Sequence, residues 1–365
     1  PQMRYFRAIS ADFQPGDKII LCTAQPDWVH VPENPQAFGN LAYFEREIIT
    51  KKGAELKLTL TGDLHHYCHY VNSSGTKHKI TSGGGGAYLY PTHEMPEEIA
   101  LKPGTPDEDY KRTEVYPDLK TSKKLTFGGL SLPFRNWKFS LLLGIIYVIY
   151  AWVIRSASLG SAQGDFVDTA ISGGMTLQGF WRTYLHFYEI LGYSPINIVF
   201  FIVLVAGLAV FSKDEKWYSM PLGAVHGLAH VTLTVLLSWF FLVFNGTILG
   251  IDFGSLLHFV VYLVEMLLLG TIAGGLLMGI YLVIVSRYLG MNSNEVFSCQ
   301  YIEDYKNFMR LHIGKNGELT VYPIAVDRVG KEWQLDKNAQ NGESWFKLAD
   351  GEKIETRLIE KPIEI

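Results

Sequence analysis

The sequence GSLLHFVVYLVEMLLLGTIAGGLLMGIYLVIVS, residues 254–286, is an apolar run that contains a single charged residue. A membrane crossing needs about 20 apolar residues, so this run is longer than one perpendicular crossing requires. We predict one continuous helix, because the pairs Gly270/Gly274 and Gly275/Gly279 place small residues where neighbouring helices can approach closely. The run therefore indicates a bundle of membrane helices.

Three further apolar runs, 139–154, 195–211 and 224–244, precede this one. Together the four runs predict a transmembrane domain of about four helices over residues 137–287. The whole chain is 48% hydrophobic and 19% charged. That composition is too apolar for an ordinary cytosolic protein and too charged for one that lies entirely within a membrane. We therefore expect polar domains before and after the bundle.

Basic residues are distributed unevenly around the four runs. Loops rich in Lys and Arg stay on the cytoplasmic side, which predicts a multi-pass protein with both termini cytoplasmic and the lipid bilayer as a partner. The predicted cytoplasmic side carries Lys123, Lys124, Arg135, Lys138, Lys213, Lys216 and Arg287, and the opposite side carries Arg155 and Arg182. The net charge of -4 and the three separated cysteines argue against a nucleic-acid partner and a disulfide scaffold.

The N-terminal segment has the pattern of an α/β domain. Residues 18–23 form a short apolar run, residues 38–50 have apolar side chains at helical spacing, and residues 56–60 alternate between leucine and polar residues. These patterns predict strand, helix and strand in that order. A strand–helix–strand unit is typical of a layered α/β fold.

Two motifs follow the second predicted strand. In GDLHHY, residues 62–67, Asp63 and His65 lie at the end of the strand and can reach one divalent cation, with Mn, Fe or Zn as the metals that suit such ligands. The alternative is a polar turn whose histidines only form hydrogen bonds. In SGGGG, residues 82–86, the glycines predict a tight turn that allows a close approach of the backbone to another group.

The two motifs together resemble the closing portion of a bacterial calcineurin-like metallophosphoesterase of a membrane-tethered branch. The resemblance extends through GGGGAYLYPTH and into the rest of the chain. Its further motifs are HGLAH at 226–230, NEVF at 294–297, IEDYKNF at 302–308, RLHI at 310–313 and LTVYPI at 319–324.

The resemblance implies an αββα sandwich in which two divalent metals activate a water against a phosphate ester. It implies Asp63 and His65 as metal ligands, in a motif where Asp63 stands for the first of two histidines. His66 and His93 are the implied catalytic candidates, with His69 beside them as a partner of the substrate phosphate. The other metal motifs of the family are not found. We therefore expect residues 1–120 to be a partial phosphoesterase domain of a protein in the bacterial inner membrane, inactive alone. It would be the C-terminal part of a longer phosphoesterase, either truncated or derived from a split gene, and a partner chain or a second copy could supply the missing half.

Ionisable residues within the apolar runs form a second candidate site. His226 and His230 are four residues apart on the third run, and His258 and Glu265 are seven apart on the fourth. Ionisable groups at membrane depth are costly and usually functional, so these four residues could bind a cation or relay protons. The alternative is a set of His-to-Glu hydrogen bonds that hold the bundle together.

The remaining segments complete the predicted organisation. Residues 121–136 are expected to be a linker, and residues 288–365 a small cytoplasmic α+β domain. In that domain the turn GKNG at 314–317 predicts a hairpin of strands 305–311 and 319–324. Two functions remain open: the carboxyl-terminal portion of a membrane-anchored phosphoesterase, or a non-enzymatic membrane protein, structural or ion-handling, with a degenerate phosphoesterase remnant.

Overall fold

A computed structural model describes residues 2–101, 108–159, 164–349 and 351–365. The chain divides into two compact units. The first, called the sheet unit, consists of Pro1–Leu125 and Tyr301–Ile365, and the second, called the helical unit, consists of Thr126–Gln300. The structure thus differs from the predicted division, because the N-terminal and C-terminal segments form one unit rather than two domains.

The first sheet of the sheet unit confirms the predicted strand–helix–strand pattern. Its strands are β1 Lys18–Cys22, β2 Glu55–Thr61, β3 Tyr67–Asn72, β4 His78–Ser82, β5 Glu98–Ala100 and β6 Asp109–Tyr116. Among the described residues these six strands lie in the order β1-β2-β4-β3-β6-β5. β1, β2 and β4 run parallel to one another, whereas β3 is antiparallel to both β4 and β6.

Short helices accompany this sheet. They are α1 Gln2–Ile9, α2 Gly39–Phe44 and α3 Leu119–Leu125, with 3-10 turns at Asp27–His30 and Thr92–Glu94. The predicted helix at 38–50 corresponds to α2, which continues as a π turn, Glu45–Ile49, and a 3-10 turn, Thr50–Lys52. Apolar residues such as Ile48 and Ile49 of this segment are buried, as the helical spacing predicts.

The C-terminal segment forms further strands. They are β7 Lys306–Ile313, β8 Leu319–Val326, β9 Trp333–Leu335, β10 Phe346–Leu348, β11 Thr356–Leu358 and β12 Ile363–Glu364. β7 and β8 pair antiparallel from Lys306↔Val326 to Ile313↔Leu319, which confirms the predicted hairpin. β11 and β12 also pair with β8, while β9 and β10 form a separate two-stranded ribbon.

One apolar core joins the two sheets of the sheet unit. Leu58 and Ile80 from the first sheet pack with Val321, Ala325 and Ile363 from the second. A strand pair needs a further layer to bury its apolar face. The β7–β8 hairpin packs against the first sheet, which supplies that layer. The C-terminal segment therefore does not form a domain of its own.

The helical unit contains the predicted membrane runs. Its helices are α4 Leu132–Arg135, α5 Trp137–Ser158, α6 Phe166–Gly173, α7 Leu177–Tyr193, α8 Pro195–Phe211, α9 Ser219–Val243, α10 Leu256–Leu289 and α11 Ser293–Ser298. A 3-10 turn at Thr126–Ser131 precedes α4, and a π turn at Phe244–Ile248 extends α9. The predicted linker 121–136 is therefore helical along most of its length.

Three helices among the described residues are long and apolar enough to cross a membrane: α5, α9 with its π turn, and α10. α7 and α8 would supply a fourth crossing only as a bent pair, because their axes differ by 109°. The predicted run 195–211 coincides with α8. α10 is continuous, which confirms the prediction of one long helix over 254–286.

The small residues of α10 lie where other segments approach closely. A Cβ atom on Gly279 would collide with the carbonyl oxygen of Gly129 in the 3-10 turn before α4. A Cβ on Gly270 or Gly274 would lie 3.2–3.3 Å from the Tyr147 side chain of α5. The predicted role of the glycine pairs in close packing is therefore confirmed.

Candidate functional site

The Asp63–His66 loop lies between β2 and β3, at the carboxyl end of a strand that is parallel to both of its neighbours. The backbone N–H groups of Gly62 and Asp63 donate to the carbonyl oxygen of Ala24, at 3.2 and 3.0 Å, so the segments that follow β1 and β2 meet at one edge of the sheet. Asp63 is exposed and His65 is partly buried. Both predicted metal ligands are thus at the sheet edge where parallel strands present polar groups.

The glycine turn packs directly against this loop. A Cβ on Gly86 would collide with the ring of His65, and a Cβ on Gly83 would collide with the carbonyl oxygen of Leu64. The backbone N–H of Gly83 also donates to the carbonyl oxygen of His66 at 3.0 Å. The predicted close approach of the glycine backbone is confirmed, and the group it approaches is the Asp63–His66 loop.

The ring of His65 is held in one orientation. Its Nδ1 lies 2.9 Å from the carbonyl oxygen of Tyr88, and because a carbonyl only accepts, Nδ1 carries the proton and donates. This leaves the lone pair on Nε2. Histidines that bind metals typically donate their other ring N–H to a carbonyl in this way.

His66 has a different environment. Its side chain is fully buried, and Nδ1 lies 3.3 Å from the carbonyl oxygen of Tyr90. Burial lowers its pKa to about 4, an effect that the hydrogen bond to Tyr90 opposes and the neighbouring His65 reinforces. At neutral pH the ring is uncharged, so it does not attract a phosphate by charge.

His93 connects two segments of the sheet unit. Its Nδ1 lies 2.7 Å from the hydroxyl of Ser122 in α3, and its Nε2 lies 3.4 Å from a carboxylate oxygen of Glu94. The backbone N–H of Thr92 donates to the same Ser122 hydroxyl at 3.1 Å. These bonds attach the 3-10 turn at 92–94 to α3, a structural task that the sequence did not indicate.

The donor atoms of the sheet unit do not complete a metal site. Among the described residues no group of three or more His, Cys, Asp or Glu side chains is close enough together to hold a metal ion. Catalytic zinc sites commonly use three protein ligands, and structural ones four. Asp63 and His65 supply two, so these residues alone do not fit the dinuclear centre that the resemblance implies.

A buried network around His69 was not predicted. Tyr67 Oη donates to Glu360 Oε1 at 2.6 Å, and His69 Nδ1 lies 3.0 Å from the same oxygen. On its other side, His69 Nε2 lies 3.0 Å from His78 Nδ1. Tyr67 and His69 share a face of β3 because they are two residues apart, a signal that the sequence did contain. Glu360 is distant in sequence and lies in a charged tail, so no local pattern pointed to it.

The pKa shifts in this network favour a charged carboxylate on Glu360 and a neutral ring on His78. Burial alone would raise the pKa of Glu360, but the hydrogen bonds from His69 and Tyr67 and the electrostatic attraction of His69 and His78 outweigh burial and lower it. Burial and the neighbouring His69 lower the pKa of His78 to about 4. Glu360 is therefore an acceptor at neutral pH, and it fixes the proton of His69 on Nδ1.

A buried ion pair in the same unit was also not predicted. Lys79 on β4 is 2% exposed, and its Nζ lies 3.1 Å from Glu45 Oε1. The ammonium lies 5.1 Å, 4.9 Å and 5.4 Å from the ring centres of Trp28, Phe38 and Tyr110. Burial raises the pKa of Glu45 and lowers that of Lys79, and the attraction between the two opposes both shifts.

In the helical unit the predicted cluster of His226, His230, His258 and Glu265 occupies three separate places. The Tyr147 hydroxyl lies 2.6 Å from His230 Nδ1, and His230 Nε2 lies 2.9 Å from His226 Nε2. Glu265 accepts a hydrogen bond of 2.6 Å from Asn245 Nδ2. His258 is buried beside the ring of Phe253, and neither of its ring nitrogens has a hydrogen-bond partner in the described part of the chain.

Helix direction explains why the cluster divides. The His226 ring stacks on the Tyr281 ring at 4.0 Å between centres, so the start of α9 faces the end of α10. Glu265, near the start of α10, consequently faces the end of α9, where Asn245 lies. His226 and Asn245 are about 28 Å apart along α9 and its π turn, at 1.5 Å per residue. The predicted His-to-Glu bonds are therefore replaced by His–Tyr and Asn–Glu contacts.

Comparisons with protein-family models, with curated proteins and with solved structures find no match for this chain. The relationship to metallophosphoesterases stays a prediction from the motifs. What the structure itself shows is coarser: a mixed sheet, a helical unit with three helices apolar enough to cross a membrane, and a small C-terminal sheet.

Proposed function

We propose that the sheet unit contributes Asp63 and His65 to a divalent-metal site for phosphate-ester hydrolysis, and that the helical unit anchors this site to a membrane. The remaining ligands would come from outside the described residues, as a partner chain or a second copy could provide. The observation that carries the proposal is the seating of the glycine turn on the Asp63–His66 loop, with His65 Nδ1 bonded to Tyr88. That arrangement leaves His65 Nε2 and the Asp63 carboxylate at one strand end as the atoms that would bind a metal.

The composition of the sheet unit supports the membrane part of the proposal. The segments before and after the helical unit, Pro1–Leu125 and Tyr301–Ile365, belong to one compact unit. They must therefore lie on the same side of any membrane that the helices cross, which requires an even number of crossings. Four crossings satisfy this, and the excess of Lys and Arg on that side supports a cytoplasmic location at the inner membrane.

Metal binding tests the proposal most simply. The full chain in detergent would be titrated with Mn²⁺, and free Mn²⁺ would be followed by electron paramagnetic resonance. We expect weak binding that is lost in Asp63→Ala and in His65→Ala, because each variant removes one of two donors. His312→Ala, which removes an exposed histidine of β7, is the matched control and should bind as the wild type does.

Hydrolysis provides the second readout. Membranes that contain the assembled protein should hydrolyse bis(p-nitrophenyl) phosphate in the presence of Mn²⁺, and both site variants should reduce this rate while inserting normally. Equal Mn²⁺ binding and equal hydrolysis by wild type, Asp63→Ala and His65→Ala would refute the site. Binding without hydrolysis in the purified chain alone agrees with a site that a partner completes.

A further inference from the structure

A buried polar stripe runs along α9 and its π turn. Its residues are His226, His230, Thr234, Ser238 and Asn245, spaced by four, four, four and seven residues. Such spacing places all five on one face of a helix. Their exposed fractions are 3%, 2%, 0%, 1% and 0%, although α9 is otherwise apolar. A polar face that lies entirely inside a bundle of apolar helices is costly, so it calls for an explanation.

Neighbouring helices place polar side chains along the stripe. Tyr281 of α10 stacks on His226, and its hydroxyl donates to Ser212 at the end of α8. Tyr147 of α5 bonds to His230. Further along, Tyr262 of α10 bonds to Ser238 at 2.6 Å, and Glu265 bonds to Asn245.

The stripe is as long as a membrane core is thick. The residues from His226 to Asn245 cover about 28 Å at 1.5 Å per residue. The hydrocarbon core of a bilayer is about 30 Å thick. The π turn that extends α9 contains Asn245, and π-helical turns are frequent at functional sites.

Packing alone explains the stripe poorly. Polar residues that only join helices satisfy one another, and their bonds contribute roughly 1 kcal/mol each. Here two polar atoms within the stripe, His226 Nδ1 and Asn245 Oδ1, are buried without a hydrogen-bond partner in the described part of the chain. Leaving such atoms unpaired costs about 1–3 kcal/mol each, which cancels the benefit of the bonds.

We infer that this stripe is a proton pathway through the helical unit, with Tyr147, His230 and His226 as its central relay. This inference rests on the proposal that the helical unit crosses a membrane, and it does not depend on the phosphoesterase part of that proposal, because it uses other residues in the other unit. The relay has two neutral arrangements that differ only in the position of protons. Both satisfy the distances of 2.6 Å between Tyr147 and His230 and 2.9 Å between His230 and His226.

In the first arrangement the Tyr147 hydroxyl donates to His230 Nδ1, His230 Nε2–H donates to His226 Nε2, and His226 carries its proton on Nδ1. Transfer moves the Tyr147 proton to His230 Nδ1, the His230 proton to His226 Nε2, and the His226 Nδ1 proton to a water molecule beyond the relay. The Tyr147 oxygen takes a replacement proton from a water molecule on the side away from His230. One proton enters and one leaves, the charge is unchanged, and the second arrangement results.

The stripe extends the relay in steps of one helical turn. Thr234 follows His230 by four residues and Ser238 follows Thr234 by four, which separates neighbouring side chains by about 5–6 Å between Cβ atoms. The Thr234 hydroxyl donates to the carbonyl oxygen of His230 at 2.9 Å, so a proton passes this step when that hydroxyl rotates and one hydrogen-bonded water spans the gap. The hydroxyls of Ser238 and Tyr262, and then Asn245 and Glu265, continue the line toward the opposite end of α9.

Proton flux into liposomes tests the inference. The full chain would be reconstituted into vesicles that contain a pH-sensitive dye, and a potassium diffusion potential set by valinomycin would drive proton entry. We expect wild-type vesicles to acidify faster than empty ones. Tyr147→Phe keeps the ring but removes the relaying hydroxyl, and it should slow the flux by about a hundredfold, the scale of a lost proton-transfer group.

A second variant and a control complete the experiment. His226→Phe retains a ring that can stack on Tyr281 but removes the other end of the relay, so it should slow the flux to a similar extent. His258→Phe replaces a buried histidine outside the stripe and should leave the flux unchanged. Wild-type vesicles no faster than empty ones, or a Tyr147→Phe variant as fast as the wild type, would overturn the inference.

Discussion

Each unit of this protein buries a pair of hydrogen-bonded histidines, and the two pairs end on different groups. In the sheet unit His69 Nε2 lies 3.0 Å from His78 Nδ1, and His69 Nδ1 is hydrogen-bonded to the carboxylate of Glu360. In the helical unit His230 Nε2 lies 2.9 Å from His226 Nε2, and His230 Nδ1 is hydrogen-bonded to the hydroxyl of Tyr147. The distances are nearly equal, so the terminal group decides how the two pairs differ.

A carboxylate only accepts hydrogen bonds, whereas a hydroxyl both donates and accepts. Glu360 therefore fixes a proton on His69 Nδ1. In the neutral form of that ring, His69 Nε2 then accepts and His78 Nδ1 donates. This pair has one proton arrangement. Tyr147 can serve His230 either as donor or as acceptor, so the second pair has two. In the sheet unit, a buried charge thus stabilises one proton arrangement of the histidine pair. In the helical unit, the hydroxyl allows the histidine pair to exchange protons between two arrangements.

The largest predicted effect concerns the other buried carboxylate of the sheet unit, Glu45. Lys79→Met removes its partner and leaves a buried charge unpaired, which should cost about 3–5 kcal/mol of the free energy of unfolding of this unit. Native-state hydrogen exchange of β4 amides in the full chain would measure it. The double variant Glu45→Gln/Lys79→Met should recover most of the loss. A single variant within 1 kcal/mol of the wild type would contradict the stabilising role of buried charge.

Glu360→Gln tests the carboxylate of the histidine pair directly. The amide keeps the shape but loses the charge that both Tyr67 and His69 contact, and hydrogen bonds to charged groups contribute about 1.5–3 kcal/mol. We expect the sheet unit to lose about 2 kcal/mol, measured by the same exchange experiment. The matched control is Glu364→Gln, an exposed residue of β12, which should change stability little. Equal effects of the two substitutions would mean that Glu360 does not fix the pair.

The pH dependence of stability follows from His78. Its pKa is about 4 in the folded protein and near 6.5 in an unfolded chain, so the unfolded state binds more protons between these values. The stabilising contribution is complete above pH ~6.5 and decreases as the pH falls toward 4. Between pH 7 and pH 5 the sheet unit should lose about 2 kcal/mol through this residue.

His66 titrates in the same direction, because burial also lowers its pKa to about 4. The variant His78→Gln should therefore reduce the slope of stability against pH by about half, while His66→Gln should remove the other half. A wild-type stability that is the same at pH 5 and pH 7 would show that neither histidine is buried in its neutral form.

Tyr147→Phe should have the smallest effect on stability. Hydrogen bonds between membrane helices contribute on average about 0.6 kcal/mol, so the helical unit should unfold with a free energy changed by about 1 kcal/mol or less. Thermal unfolding in detergent would measure this change. A loss above about 3 kcal/mol would place Tyr147 with the stabilising groups of the sheet unit, and the contrast between the two pairs would disappear.

Local patterns in the sequence predicted the elements well. The alternation of residues 56–60 and the turn at 314–317 indicated β2 and the β7–β8 hairpin, and the apolar runs indicated α5, α8, α9 and α10. These patterns depend on residues within one turn or one strand of each other. Burial of an apolar face is a local property that spacing alone reveals.

The sequence patterns did not predict contacts between residues that are distant in the sequence. The docking of β8 on the first sheet brings together residues such as Leu58 and Val321, and the bond from Tyr67 to Glu360 joins residues 293 apart. The intramembrane cluster was misplaced for the same reason, since helix direction decided that Glu265 meets Asn245 rather than the histidines. Asp63 and His65 were placed correctly at a strand end, but their function stays a prediction.

Nitrogen-15 spectra of the histidine rings test the central contrast most directly. The full chain would be labelled with ¹⁵N-histidine, placed in lipid bilayers and measured by solid-state NMR near neutral pH, with single His→Gln variants for assignment. We predict one tautomer each for His69 and His78, and signals of two exchanging tautomers for His226 and His230. A single fixed tautomer at His226 and His230 would contradict the account, because a relay with one proton arrangement cannot pass a proton.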